Sequence, residues 1–412
     1  MRSDKLGIAA IFKNEHPFIV EWLAYHRVLG ISKFFIADNE SDDDTGRLLA
    51  ALSSLGYLKF ITHKTNLGEK PQMAAYQTLA DTFKNEVEWL CYIDADEFLQ
   101  PETEGQSITD ALSEVLADNE VGAVAINWAL YGSSNWVTAD SRPIIERFTL
   151  RAKKECGANR HYKTIIRTEA FRSSGGNPHA FVLEDGYKYV NGRGRRLSVG
   201  EIDGIADSVT WNPVRINHYV VKSRSEFFTK KRPRGRPNGD LRPVGFFAQH
   251  DINEEKEEFS QSFINAVVEE KNKIISRLDR EIGYVLVAAN QNTFEVLFSK
   301  GGESLKMCID GAKKENGKIK CHGWVVGDEG EASDFKILVD YTKVFHANYV
   351  NRKLRPDVAA AFKINPEQKY GFECEFECDE LLPVVDAAST LEICVGAGRQ
   401  NAAVIVPLII KE

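Results

Sequence analysis

The 412-residue sequence is poor in cysteine and methionine and carries no excess of positive charge. Its seven cysteines are an odd number. No Cys-x-x-Cys spacing occurs, which removes the usual zinc-site signature. Cys374 and Cys378 stand four apart in an alternating strand pattern, a separation of about 13 Å and too long for a disulfide. A reducing cytoplasm is the simplest compartment for such a chain. Lys and Arg number 52 against 60 Asp and Glu, a net charge of −8. That argues against a partner bound by bulk positive charge, so no nucleic acid is expected. No apolar run approaches the roughly 18 residues of a membrane span. The apolar stretch Leu6–Phe12 is short and runs into Lys13-Asn14-Glu15 with no small-residue cleavage site. It reads as a first strand and not as a signal peptide. The loop after it has neither GxGxxG nor GxxxxGK[ST], which removes the two commonest nucleotide-binding versions of an α/β sheet.

The chain is 43% hydrophobic and 27% charged, the balance of a soluble globular protein, and its length suggests two or three domains. The first 130 or so residues alternate strand and helix. Strands are expected at Leu6–Phe12, Lys33–Ala37, Tyr57–Thr62, Trp89–Ile93 and Val121–Trp128. Helices are expected after Pro17, after the acids Asp42–Asp44, over Pro71–Lys84, and behind Ser107 with Asp110 as a cap. Ser41 or Asp42 is a candidate cap for the second helix. Repeated strand–helix units imply a doubly wound, mostly parallel α/β sheet. The middle of the chain is less regular. It holds an expected hairpin, Phe181–Val190, turning at Asp185-Gly186, and then a charged helix over Asn253–Ile282. A boundary is expected near Ser299–Gly302, dividing residues 1–298 from 299–412. Beyond it short strands at Lys318–Val326, Phe335–Val339, Tyr370–Phe376, Leu391–Val395 and Ala402–Ile409 imply a separate β-sandwich.

The strongest chemical signal is Tyr92-Ile93-Asp94-Ala95-Asp96-Glu97, where a buried strand ends in three carboxylates. Ligands of open α/β sheets bind beyond the carboxyl ends of the strands. Asp94 and Asp96, at i and i+2, can share Mg²⁺ or Mn²⁺, and such an ion can neutralise a diphosphate. A solvated turn is the plain alternative. The second signal is Asp38–Thr45, where Asp38 can accept hydrogen bonds from a ribose or a base. The plain alternative is a helix-capping cluster.

In combination these stretches resemble the GT-A glycosyltransferases. Asp38–Thr45 follows the family-2 pattern D-D-G-S-x-D-x-T, with Asn39 and Glu40 departing from it. Phe12–Glu15, Glu21–His26, Leu29-Gly30, Asp38–Thr45 and Tyr92–Leu99 are more similar to the family-92 and family 2-like branch. The resemblance covers roughly residues 5–235. It implies a UDP- or GDP-linked sugar donor, a glycan acceptor, Mn²⁺ or Mg²⁺, and an Asp-x-Asp pair holding metal and diphosphate. By position it places Asn14, Glu15, Asp38, Ser41, Asp43, Asn66 and Asp94 around the nucleotide sugar. Trp128, Gly132, His179 and Tyr219 fall on the acceptor side. His218 joins Asp94 and Asp96 as an implied metal ligand, with a structural histidine as the alternative.

Residues 222–242 hold eight basic side chains against two acidic ones. The glycines among them suggest a mobile clamp on the diphosphate, with Lys222, Arg232 and Arg234 as its contacts. A solvated loop, or peripheral attachment to an anionic inner-membrane surface, is the alternative. An inverting transfer needs a base, and the Glu-Asp pair Glu184-Asp185 matches the family-2 position; Glu146 and Glu97 are rivals. Gly323-Trp324-Val325 and 355–358 resemble β modules appended to bacterial glycosyltransferases, for glycan contact or self-association. The implied protein is a bacterial enzyme of surface polysaccharide synthesis. Two rivals keep the fold: a nucleotidyltransferase, which lacks its Gly-x-Gly-Thr-Arg-type loop here, and a non-catalytic glycan-binding protein.

Overall fold

The structure, a computed structural model, describes residues 5–65, 71–137, 139, 142–198, 201–232, 242–243 and 245–282. From 306 onward it describes 306–315, 318–326, 334–339, 343–354, 356, 359, 367, 369, 371–377, 391–397, 400–406 and 409–410. The chain divides into two compact units. The first comprises Met1–Ser133, Arg142–Lys222 and Arg234–Asn290, and the second Ser134–Ser141, Ser223–Pro233 and Gln291–Glu412. The expected boundary at 298/299 lies outside the described residues.

The strands of the first unit are β1 (Leu6–Phe12), β2 (Lys33–Asp38), β3 (Lys59–Thr62), β4 (Trp89–Tyr92), β5 (Glu97–Pro101) and β6 (Val121–Leu130). They continue with β7 (Leu150–Arg151), β8 (Tyr162–Arg167), β9 (Phe171–Asn177), β10 (Ala180–Leu183), β11 (Lys188–Asn191) and β12 (Val214–His218). The main sheet runs β3-β2-β1-β4-β8-β6-β12-β5, with β11 also paired to β6. Its first four strands are parallel. The connecting helices are α1 (His16–Val28), α2 (Thr45–Ser54) and α3 (Pro71–Phe83). This half is the doubly wound arrangement expected from strand–helix alternation. The other half is mixed, because β8 lies antiparallel to both β4 and β6, and β5 antiparallel to β12.

Helix α1 shows how the edge of the sheet is closed. Pro17 fixes its first turn. Trp22 Nε1 donates to Glu97 O (3.0 Å), Tyr25 OH donates to Leu99 O (2.9 Å), and His26 Nε2 accepts from Leu99 N (3.2 Å). Side chains of a helix thus satisfy β5 in place of another strand. His26 Nδ1 lies 2.8 Å from Trp22 O and takes the donor role there, so the ring is held neutral. Burial pushes its pKa from 6.5 down to about 3. A histidine whose folded pKa is depressed contributes stability fully above pH 6.5, and that contribution is lost as pH falls toward about 3. Stability followed by urea denaturation should therefore fall across that window, with His26 contributing about 1.4 kcal/mol per pH unit. His26→Gln should flatten the slope by that amount; an unchanged slope would place the titration elsewhere.

Three expectations are corrected. The segments flanking Asp185-Gly186 do not form a hairpin: β10 pairs with β9, and β11 pairs with β6. The turn signal is real, with Gly186 at φ 93°, but it joins strands that pair elsewhere. The charged helix begins at Gln261, not Asn253, because Glu255-Lys256 pairs with β7 and Ser260 caps the helix by accepting from Phe263 N at 3.2 Å. Neither Ser41 nor Asp42 caps α2. Asp43 Oδ1 accepts from Thr45 N at 2.8 Å, while Ser41 serves the site below.

In the second unit the expected sandwich strands fall into two sheets. One contains Lys306–Glu315, Lys318–Val326, Tyr349–Lys353, Gly371–Glu377 and Ile409–Ile410. The other contains Asp334–Val339, Lys343–His346, Leu391–Ala397 and Gln400–Val406. Cys374 does not stand alone on its strand: its Sγ lies 3.1 Å from that of Cys321 on the neighbouring strand. Cys378 lies outside the described residues. Among the described residues no helix is long and apolar enough to cross a membrane.

Candidate active site at the strand ends

The parallel strands deliver their carboxyl ends side by side. Past β1 the backbone turns sharply at Asn14, which takes φ 56°. The loops after β1 and β2 are then stitched together. Asn14 N donates to Ser41 Oγ (3.0 Å), Asn14 Oδ1 accepts from Asp42 N (2.9 Å), and Glu15 N donates to Thr45 Oγ1 (2.9 Å). Asp38 closes the turn, accepting Ser41 Oγ at 2.6 Å on Oδ1. A Cβ at Gly46 would stand 3.0 Å from Asp38 Oδ2, so the glycine lets the start of α2 approach this carboxylate. Asn14, Glu15, Asp38, Ser41 and Asp43, all expected around one ligand, thus form one network. Asn66 and Arg234 lie outside the described residues.

At the end of β4 the turn Asp94–Glu97 is held by its own backbone. Glu97 N donates to Asp94 O (3.1 Å), and Asp94 N donates to Glu97 Oε2 (2.7 Å). Asp94 is heavily engaged: Oδ1 accepts from Gln72 Nε2 (2.8 Å) and Tyr76 OH (3.1 Å), and Oδ2 accepts from Lys163 Nζ (2.8 Å). Lys163 comes from β8 and also stands 3.6 Å from Glu97 Oε2. Burial opposes ionisation of Asp94, but Lys163 outweighs it and holds the carboxyl below its ordinary value. Burial pushes Glu97 up to about 8 against the pull of Lys163. Among the described residues Glu97 Oε1 has no hydrogen-bond partner.

Asp96 turns toward β12. Tyr219 N donates to Asp96 O (2.8 Å), and His218 Nε2 stands 3.7 Å from Asp96 Oδ1. The β5–β12 register sets His218 opposite Glu97, which explains the placement. His218 packs on Trp128, with ring centres 4.3 Å apart, and His161 stacks on Trp128 at 5.0 Å. His179 lies edge-on to the same indole at 5.3 Å. Burial and the nearby Lys163 charge push His179 down to about 3, so it is neutral, with Nδ1 donating to Tyr162 O at 2.8 Å.

The side chains of the remaining expected residues have other partners. Tyr219 does not face an acceptor: its side chain is wholly buried against Phe98, Tyr131 and Phe148, because β12 turns it into the core behind His218. Gly132 is a packing glycine; a Cβ there would stand 2.7 Å from Ile252 O. Glu184 and Asp185 are exposed and share Arg172 (both 3.0 Å); among the described residues no hydrogen bond or ion pair joins them to the Asp94 cluster. Glu146 stands 4.0 Å from Arg142. Lys222 is buried with Nζ 4.0 Å from the centre of the Phe18 ring. Arg232 caps the helical turn Phe227–Lys231, its N donating to Phe227 O. Reading the sequence missed Lys163, Gln72, Tyr76 and His161. The signal for Lys163 is a single lysine inside the run Tyr162–Ile166, where a solvated strand would alternate.

Residues 7–191 match the family model described as Glycosyltransferase family 92. A family-92 protein of Oryza sativa subsp. japonica is 28% identical over 198 residues, covering 48% of this chain and 33% of that protein. One of Arabidopsis thaliana is 30% identical over 195 residues, covering 45% of this chain and 33% of that protein. The match thus spans about a third of the curated relatives' length. Among solved structures, S. aureus TarS is similar at 12% identity and TM-score 0.31, covering 98% of this chain and 77% of that one. A glucosyl-3-phosphoglycerate synthase from Mycobacterium tuberculosis, solved with Mn²⁺ and UDP, is similar at 10% identity and TM-score 0.22, covering 30% of this chain and 44% of that one.

Proposed function

We propose, from the match of residues 7–191 to the family-92 glycosyltransferase model, that the protein transfers a sugar from a UDP- or GDP-linked donor to a glycan acceptor with the help of Mn²⁺ or Mg²⁺. The observation that carries this reading is the placement of Asp38 at the end of β2 and of Asp94 and Asp96 after β4, at the carboxyl ends of the two parallel strands that flank β1. Among the described residues no group of three or more His, Cys, Asp and Glu side chains forms a ready metal site. Asp96 and His218 nevertheless fit a divalent cation as a pair, because an oxygen and an imidazole nitrogen 3.7 Å apart suit two ligands on one ion. Mg²⁺-type sites commonly take one or two protein ligands and complete the rest with substrate phosphate and water. Bound there, the ion would neutralise the diphosphate leaving group.

The chain's own residues supply the rest. Asp38, fixed by Ser41, would accept from the ribose or base. Asp94, fixed by Gln72, Tyr76 and Lys163, stays ionised and sets the floor of the site. Glu97 is enclosed and holds Asp94 N–H, so it positions the loop and takes no proton from an acceptor. Transfer with inversion to a surface polysaccharide, in the cytoplasm, is part of the same proposal.

Asp38→Ala should weaken binding of UDP and GDP by about tenfold or more, since a hydrogen bond to a charged group contributes about 1.5–3 kcal/mol. Ser41→Ala removes the turn contact but leaves the carboxylate, and should cost less. Calorimetric titration of both variants checks this. Equal losses would reduce Asp38 to a turn-holding role.

A further inference from the structure

We propose that Lys163 is a positioning residue that keeps Asp94 out of cation coordination and leaves Asp96 with His218 as the cation-holding pair. This rests on the reading that a divalent cation binds at the end of β4. The two acids of the Asp-x-Asp stretch are sent to different partners. Asp94 meets an ammonium, an amide and a phenol, and both its oxygens have donors. Asp96 meets the imidazole of His218 at the end of β12.

The asymmetry is built into the sheet. Strand β8 inserts antiparallel between β4 and β6, and this brings Lys163 beneath the turn. The Lys163 side chain is only 1% exposed, so its charge has no recourse to water. A cation that took Asp94 would strip Lys163 of its nearest counter-charge, and an enclosed ammonium without one is strongly disfavoured. Glu97 cannot replace Asp94 on its own, since it stands farther off, at 3.6 Å against 2.8 Å. Gln72 and Tyr76, one turn apart on α3, hold the other oxygen and keep the carboxylate from rotating toward Asp96. Lys163 therefore decides which acid is offered to the ion.

The test is Mn²⁺ binding to the full chain, alone and with excess UDP or GDP, read from the spin-resonance signal of free Mn²⁺. Asp96→Asn should lose Mn²⁺ affinity at least tenfold, and Asp94→Asn should stay within about threefold of wild type. Lys163→Gln should gain affinity at least threefold, because Asp94 is released to join the ion; Lys163→Arg, which keeps the charge, should not gain. A merely structural lysine would give a loss, not a gain. If either single variant fails to fold by circular dichroism, the paired change Asp94→Asn with Lys163→Gln, which strands no buried charge, decides: affinity within about threefold of wild type supports the proposal and a tenfold loss overturns it. Equal losses in Asp94→Asn and Asp96→Asn would overturn the role of Lys163 and leave the cation reading standing. A wild-type protein that binds no Mn²⁺ under either condition would overturn both.

Discussion

Asp96→Ala is expected to lower donor turnover by about 10²–10³-fold, the usual loss when one group stabilising developing charge is removed. The unfolding temperature should hardly move. The bond from Tyr219 N goes to the backbone oxygen of Asp96 and survives the change. The neighbouring ion pair of Lys163 with Asp94 is untouched by the change. Removing a buried carboxylate also removes a desolvation cost, which offsets the lost contact with His218. The loss should therefore appear in kcat with Mn²⁺ present, because leaving-group charge grows toward the transition state. Normal turnover in a folded Asp96→Ala variant would contradict the cation reading.

Arg167→Ala should produce the largest loss of stability. Arg167 lies at the far end of β8 from the site, its side chain 6% exposed. Its guanidinium donates to three backbone carbonyls, those of Val121 (3.0 Å), Leu116 (3.3 Å) and Asp118 (3.1 Å), and to Glu88 (2.9 Å). It also covers the Trp89 ring at 4.4 Å. Truncation leaves those carbonyls short of a donor and strips the indole. The expected cost is about 3–5 kcal/mol, or roughly 10 °C in unfolding temperature. Arg167→Lys should recover only part of this, because one ammonium cannot reproduce a planar fork of donors. Urea denaturation of the three proteins reads the difference. A cost below about 1 kcal/mol would show that the strands around Arg167 hold without the guanidinium.

These two residues also show what the sequence made legible. Strands β1 to β4 and helices α1 to α3 could be read directly, because apolar runs and 3.6-residue periodicity alternate there without interruption. The acids after β4 stood out for the same reason: a wholly apolar strand ending in Asp94, Asp96 and Glu97 has few bland explanations. Strand β8 was hidden because it carries Lys163 and Arg167, two charges that are buried only by partners distant in the chain. Strand β5 was hidden because it starts with the buried Glu97 and closes on side chains of α1. The hairpin expected at Asp185-Gly186 failed because a turn signal fixes the turn and not the strands it joins. Partnerships such as Lys163 with Asp94, or His218 with Asp96, follow from an antiparallel insertion that local periodicity does not encode.

The central claim is that the acids at the end of β4 serve a nucleotide sugar and a divalent cation. Release of nucleoside diphosphate from a panel of UDP- and GDP-sugars, measured with MnCl₂ and again with EDTA, tests it most directly. The expected result is that at least one sugar nucleotide releases UDP or GDP with Mn²⁺, that chelation stops the release, and that Asp96→Ala is silent on the same donor. Absence of release from every donor, or release that is indifferent to both EDTA and the Asp96→Ala substitution, would contradict it.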